Sequence, residues 1–319
     1  MKSAQHGRHE GVQTLQVGEE SAGQRIDNFL LSHLKGAPRS LVYRILRRGE
    51  VRVNRGRVKP DYRLSVGDQL RIPPLRLAAE RVPGSPGPRL LAALRDRIIY
   101  EDANLLVLNK PSGLAVHGGS GLSFGAIEAL RALRPQARYL ELVHRLDRDT
   151  SGCLMVAKRR STLRVLHELL RAGGVDKRYL TLLRGTWGPE VRQVDVALRK
   201  NVLRSGERLV NVSEEGKAAL SLFHPRTIYG ETATLVEVGL VTGRTHQIRV
   251  HAAHIGHPVA GDDKYGDGAF NRSMQDYGLR RLFLHAYRLE LDLPSTGHLK
   301  VTAPLDDDLQ AVLDALARI

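Results

Sequence analysis

Nine consecutive residues, His144-Arg145-Leu146-Asp147-Arg148-Asp149-Thr150-Ser151-Gly152, carry more polar chemistry than a connecting loop needs, and apolar, strand-like runs flank them. A carboxylate among arginines is favoured as the anion by opposite charge and charge-assisted hydrogen bonds. Asp147 so placed can serve as a nucleophile or as a base. A duller account uses the same residues: Asp147, Asp149, Thr150 and Ser151 can satisfy backbone donors in a salt-bridged turn. Residue types alone leave both open. His251, His254 and His257 recur at helix-like intervals near Asp262 and Asp263, which raises a metal site. The Glu base of the zinc protease pattern is missing, and no metal is expected. Ser151 and His144 lack the glycine-flanked elbow of a serine hydrolase. The His117-Gly118-Gly119-Ser120-Gly121 stretch lacks the Gly-Lys-Ser/Thr ending of a phosphate cradle.

Periodicity indicates the elements that must position these groups. Leu105–Leu108, Cys153–Val156 and Leu180–Leu183 read as strands, as do segments near 194–198, 208–212, 218–223, 232–240 and 284–293; helices are expected at 123–133 and 161–171. Strands outnumber helices and few strand–helix–strand alternations occur. Residues 95–319 therefore predict a mixed, largely antiparallel α+β domain. Ahead of it, five prolines and two glycines between Pro73 and Pro88 break every pattern, giving a linker over 76–94. Residues 20–75 read as a small domain. Ile26, Phe29, Leu30 and Leu34 recur at helical spacing, and a second helix near Ser40 sets Leu41, Val42, Ile45 and Leu46 apart from its arginines. Short strands follow at Val51–Asn54 and Gly67–Ile72, with a turn at Arg55-Gly56-Arg57. Residues 1–19 lack apolar periodicity and predict a disordered tail.

The 319 residues are 42% apolar, enough to bury a core in each of two domains. A net charge of +15 favours polyanionic partners. Residues 21–90 hold fifteen Lys and Arg against five Asp and Glu, so ten of the fifteen net charges lie there. Arg39, Arg44, Arg47, Arg48, Arg52, Arg55 and Arg57 are the candidates to dock nucleic acid. Cys153 is the only cysteine, which excludes an intramolecular disulfide and a cysteine zinc site and fits a reducing cytoplasm. No apolar run suits a signal peptide or a membrane span, so a soluble, cytoplasmic protein without membrane partners is expected.

Two resemblances sharpen this. "GQRIDNFL…SLVYRILRRGEVRVNRGRV…LSVGDQLRIP", from Gln24 through Pro74, is similar to the alpha-L RNA-binding module of a ribosomal small-subunit protein and of tyrosyl-tRNA synthetases. "YEDANLLVLNKPSGLAVHGG", "HRLDRDTSG", "KRYLTLLRG" and "GRTHQIRVHAAHIGHPVAGDDKYG", in that order over residues 95–303, resemble the pseudouridine synthases that act on ribosomal and transfer RNA. No core motif position departs from the family pattern. The resemblance implies that Asp147 is the catalytic aspartate and that Arg145 helps displace or replace a flipped base. It implies that Tyr179 stacks on the uracil, that Arg249 pairs with Asp147 and that Leu284 lines the pocket. His246, Arg249 and Ala253 recur at helical spacing, which lets Arg249 project from one helix face. An aromatic face suits a base swung out of its helix.

The implied reaction needs no cofactor. The glycosidic bond breaks, the uracil turns while held, and carbon 5 joins the ribose. The carboxylate can attack the ribose carbon, add to carbon 6 of the base, or remove a ribose proton, and all three routes stay open. The implied partner is large-subunit (23S) ribosomal RNA, free or in an assembling particle; the sequence is silent on oligomeric state, with a monomer favoured. The rival is a non-catalytic ribosome-assembly factor, against which the set Arg145, Asp147, Tyr179 and Arg249 speaks. An RNA methyltransferase would need a glycine-rich nucleotide turn after a strand, and none is found.

Overall fold

Ile26, Leu30 and Leu34 fall four residues apart and all are buried, forming the inward stripe of helix α1 (Ile26–His33) and its end. The computed structural model describes residues 8–9, 11–34, 37–76, 86–119, 123–202 and 208–318, and the chain divides into two units, Met1–Pro83 and Gly84–Ile319. In the first unit, α2 (Arg39–Arg47) buries Val42, Ile45 and Leu46 while Arg39, Arg44, Arg47 and the following Arg48 stay exposed. Strands β1 (Arg8–His9), β2 (Gln13–Gln16), β3 (Arg52–Val53), β4 (Gly56–Arg57), β5 (Gln69–Ile72) and β6 (Leu75–Arg76) form a sheet ordered β2-β5-β3-β4 and a separate β1–β6 pair.

The tight turn joining β3 to β4 lies at Asn54-Arg55, whose positive φ values of 49° and 70° suit a two-residue hairpin; Gly56 and Arg57, expected in the turn, belong to the strand. Gly49 ends α2 at φ +68°, and a Cβ there would stand 2.5 Å from Arg57 Nε. Glycine thus both stops the helix and lets the Arg57 side chain lie across its end, beside the cations of α2.

Two expectations need correction. Residues 1–19 are not a disordered tail over their described second half, because Gln13–Gln16 pairs antiparallel with Gln69–Ile72 and Val17 is buried. Glutamines occupy half of that strand, so its alternation carries almost no hydrophobic signal. Residues 1–7 and 10 lie outside the described residues. The linker over 76–94 is also too long. Helix α3 (Pro88–Arg95) starts on a proline at its first position, and Leu94, with Leu90 and Leu91, packs into the second unit's core. The rest of that span, residues 77–85, falls outside the described residues.

The second unit is built on one ten-stranded sheet. Its strands are β7 (Ile98–Glu101), β8 (Leu105–Lys110), β9 (Glu141–Leu142), β10 (Ser151–Ala157), β11 (Val175–Arg184), β12 (Arg192–Asp195), then β15 (Leu220–Tyr229), β16 (Ala233–Leu240), β17 (Leu284–Leu293) and β18 (Gly297–Thr302). Between β12 and β15 the hairpin β13 (Leu198–Val202)–β14 (Arg208–Val212) stands apart. The order is β12-β15-β16-β11-β17-β10-β8-β7, with β9 on β10 and β18 on β17. Among the described strands only β10 and β17 run parallel. Helices α4 (Ala126–Leu133), α5 (Arg160–Ala172), α6 (Gln247–His254), α7 (Gly268–Asp276) and α8 (Asp307–Leu316) complete an α+β unit.

The middle strands are buried on both faces, as their unbroken apolar runs require. Leu154 and Val156 of β10 enter one core, Cys153, Met155 and Ala157 the other, and β8 divides the same way. At the edge, Glu101 closes β7 by accepting from Arg134 Nε at 3.0 Å and Lys158 Nζ at 2.9 Å, so it ties the strand to the ends of α4 and β10. The Arg134 guanidinium, then Lys158, hold its carboxyl down to about 2. Folded Glu101 binds its proton more weakly than unfolded Glu101. The stability it contributes is therefore present above the ordinary value of 4.5 and is lost as pH falls through about 2. We expect Glu101→Gln to lower the unfolding midpoint at neutral pH and to flatten the acid loss of stability between those limits. Equal acid profiles for the two proteins in urea titrations would refute the assignment.

Candidate active site

The loop from Val143 to Thr150 has no regular structure, so its backbone must be held by other means. Val143 N–H donates to Met155 O at 3.1 Å, and His167 Nε2 of α5 lies 3.0 Å from Val143 O. Met155 N–H donates to His144 Nε2 at 3.1 Å; burial pushes this imidazole down to about 4, and it is neutral at pH 7. Beneath the loop, Lys110 Nζ, fully buried, donates to Pro111 O, Leu114 O and Arg148 O at 2.8–2.9 Å. Ser112 Oγ donates to Asp149 O at 2.8 Å. Thr150 N–H closes a turn on Asp147 O.

The loop ends where β10 meets β17, with Ser151 beside His285 and Gly152 beside Ala286. A Cβ on Gly152 would stand 2.2 Å from Ala286 O, and φ there is +106°; only glycine fits. Ser151 Oγ is buried 2.9 Å from His285 Nδ1 and accepts from Arg281 at 3.1 Å, which makes it a structural joint and no nucleophile.

Asp147 stands half-exposed above this base, with 33% of its side chain accessible. Its charge raises the pKa of Tyr179 and of Arg249, although burial is the largest influence on each. Tyr179 and Arg249 therefore lie within electrostatic range of Asp147. Tyr179 lies on β11 where the pairing with β17 slips between Arg178 and Leu180, a bulge of the kind that re-aims a side chain beside a site. Its ring is buried in one apolar cluster with Leu146, Ile248 and Leu284. Leu284 belongs to the same cluster. Arg145 is exposed on the loop, two residues before Asp147.

The expected pairing of Arg249 with Asp147 is replaced by another. Arg249 donates from Nε and Nη2 to the two oxygens of Asp262, at 2.7 and 2.5 Å, a bidentate pair with Asp262 fully buried. Asp262 also accepts from the backbone N–H groups of Lys264 and Tyr265. The group beside the Asp147 carboxylate is His246, whose Nε2 lies 3.7 Å from Oδ2. Arg148 pairs with Asp149 at 3.1 Å.

His246, Gln247, Asp262 and Lys110 were missed as site residues, though all four fall within the quoted motifs. Gln247 is buried with every polar atom engaged: Oε1 accepts from Thr242 Oγ1 and Arg244 N–H, and Nε2 donates to Leu220 O and Ser221 Oγ. A glutamine between a histidine and an apolar helix was the available signal. The three histidines weighed as metal ligands diverge, His251 reaching Val196 O and His257 reaching Arg184 O. Among the described residues no cluster of three ligating side chains occurs.

Residues 104–254 match the RNA pseudouridylate synthase family and residues 24–70 the S4 domain. The ribosomal large subunit pseudouridine synthase C of Pasteurella multocida is 56% identical over 310 residues, covering 97% of this chain and 95% of that one. The protein of the same name from Escherichia coli K12 is 57% identical, with 96% and 97% covered. The chain belongs to the RNA pseudouridine synthase family.

Among solved structures, the pseudouridine synthase fold recurs in human RNA pseudouridylate synthase domain containing 4, at a TM-score of 0.59 and 27% identity over 72% of this chain and 96% of that one. Members of the family are isomerases, and the family match covers the Asp147 loop, Tyr179 and Arg249. Asp262 lies just beyond that match, yet Arg249 depends on it. Asp262→Ala leaves a buried guanidinium without its partner, so we expect a loss of about 3–5 kcal/mol in urea unfolding. A loss under about 1 kcal/mol would mean that Arg249 finds another acceptor.

Proposed function

We propose that this protein isomerises chosen uridines of large-subunit (23S) ribosomal RNA to pseudouridine, in the cytoplasm, with Asp147 as the catalytic carboxylate. The observation that carries the reading is an accessible carboxylate faced by His246 and braced from below by Lys110, within electrostatic range of Tyr179 and Arg249. In this role Tyr179 offers its ring to the flipped uracil, Leu284 closes the apolar wall, and Arg145 occupies the space that the base leaves. Asp262 holds the Arg249 guanidinium in place as one half of an ion pair, so Asp147 is left unpaired by it. Asp147 is then free to attack the ribose carbon, add to carbon 6 or remove a ribose proton. The relatives named for the ribosomal large subunit support the substrate class over nearly their whole length.

The S4 domain supplies the docking. Arg39, Arg44, Arg47, Arg48, Arg55 and Arg57 are exposed and Arg52 half-buried, on one helix and the hairpin packed against its end. A binding-only assembly factor would use these cations and leave Asp147, Tyr179 and Arg249 without a purpose. No helix among the described residues is long and apolar enough to cross a membrane.

Asp147→Asn should abolish isomerisation and leave folding and RNA affinity nearly intact; pseudouridine mapping of 23S RNA from cells carrying the variant checks this, and a tenth of normal turnover would sink the assignment. Tyr179→Ala should lose roughly 1–3 kcal/mol of base contact, whereas Tyr179→Phe retains the stacking, and equal losses would rule stacking out. For docking, each phosphate contact removed flattens the slope of log affinity against log salt by about 0.7–0.9. Replacing Arg44, Arg47 and Arg48 together should therefore lower the slope by about 2. An unchanged slope in filter binding would place the RNA elsewhere.

A further inference from the structure

His246 is the one described non-glycine residue of the second unit held at positive φ, with φ 54° and ψ 21°. A side chain in that region costs backbone energy and persists only where its surroundings impose it. Here they impose it from both sides. Gln247 fixes the preceding loop through Thr242 and Arg244, and His246 O accepts from Val250 N–H at 3.0 Å to begin α6. The strained conformation aims the ring between Asp147 and Tyr265, with Nε2 3.7 Å from Asp147 Oδ2 and Nδ1 2.8 Å from Tyr265 Oη.

Which nitrogen carries the proton follows from the neighbours. Val210 N–H, on β14, donates to Tyr265 Oη at 2.9 Å, so the phenol oxygen is already an acceptor and its own hydrogen must go elsewhere. The only partner placed for it by the described contacts is His246 Nδ1. Burial raises the pKa of Tyr265, so the phenol keeps its hydrogen. Nδ1 is then an acceptor, and a neutral ring must bear its proton on Nε2, the nitrogen that faces Asp147. Four charged groups act on this ring. Burial first, then Arg249 and Lys264, lower its pKa, Asp147 and Asp262 oppose them, and the result lies below the ordinary histidine value. Tyr265 itself is fixed through its backbone N–H on Asp262 and by the Arg249 guanidinium 5.1 Å from its ring centre.

Resting on the isomerase reading above, we propose that Tyr265 locks His246 as the Nε2–H tautomer, and that this N–H orients one oxygen of Asp147 while leaving the other for the substrate. His246 and Tyr265 are then positioning residues, and the chain of contacts runs from the β13–β14 hairpin through Tyr265 and His246 to the carboxylate. At 3.7 Å the N–H is short of a hydrogen bond, so the contact closes as the carboxylate engages the flipped nucleotide.

Two substitutions at His246 separate this role from a structural one, because they rank in opposite orders. Asn tolerates positive φ and its amide reaches the Nδ1 position, so His246→Asn preserves the backbone and the Tyr265 bond but cannot reach Asp147. Gln is the poorer residue for that backbone, yet its amide reaches the Nε2 position and can donate to the carboxylate. With Asp147→Asn as the inactive control, His246→Gln should keep kcat within about threefold of wild type on 23S RNA. His246→Asn and Tyr265→Phe should each lower kcat about ten- to hundredfold at unchanged KM, the range for a hydrogen bond to a charged group. The reverse ranking, or losses confined to KM, would overturn the proposal. A second measurement needs no turnover. Nitrogen NMR of isotope-labelled histidine should find Nε2 protonated and Nδ1 bare in wild type, and a mixed population in Tyr265→Phe. A ring protonated on Nδ1 at neutral pH would overturn it as well. If the tautomer is as expected while wild type makes no pseudouridine, the isomerase reading fails and the locked ring does not.

Discussion

One buried ammonium underlies the whole centre of the second unit. Lys110 ends β8, pairs across the sheet with Gly152, and spends its charge on three backbone carbonyls, two in its own turn and one on Arg148 in the Asp147 loop. Burying a cation is costly, and burial pulls this one down to about 7 against the opposing pull of Asp149 and Asp147. The fold accepts that cost because the loop has no strand or helix to satisfy its carbonyls. Remove the donor, and the segment carrying the carboxylate has nothing beneath it at Arg148.

From that point the rest of the site follows by contact. Gly152 must lack a side chain because β17 crosses close against it, and this one parallel contact sets the start of β17, with Leu284 and the neighbouring β11 bulge at Tyr179, against the end of the loop. Strands β11 and β17 therefore position the apolar half of the site. The segment around α6 supplies the charged half: Arg249 on Asp262, and His246 between Asp147 and Tyr265. Each polar member is anchored by a partner that does not face substrate, which is how a site holds its geometry to a fraction of an ångström.

On the proposed function, the two units divide the physics of RNA recognition. Long-range attraction to phosphates needs many exposed cations and little precision, and a small helix-and-hairpin domain provides that. Selecting and holding a single base needs an aromatic wall and a fixed carboxylate, which a large, well-packed sheet can position. Gly49 serves the first unit as Gly152 serves the second: in both, a missing Cβ lets a functional segment approach closely.

Much of this was legible in the chain itself. The α+β class, both helices of the small domain, the basic clustering and the Asp147 loop all follow from periodicity, composition and motif, because these are local properties. Strand Gln13–Gln16 was not legible, since glutamines bear no hydrophobic signal and only the partner at Gln69–Ile72 makes it a strand. Helix α3 was masked by the prolines around it, one of which starts it. For the site, the family resemblance implied roles for Asp147, Arg145, Tyr179, Arg249 and Leu284 and a pairing of Arg249 with Asp147, whereas the structure pairs Arg249 with Asp262. Residues 147, 249 and 262 are all charged, and spacing along the chain cannot say which pair shares a buried space. That choice belongs to tertiary structure, where burial makes the bidentate Arg249–Asp262 pair obligatory and leaves Asp147 facing a histidine held in a conformation no local preference would select.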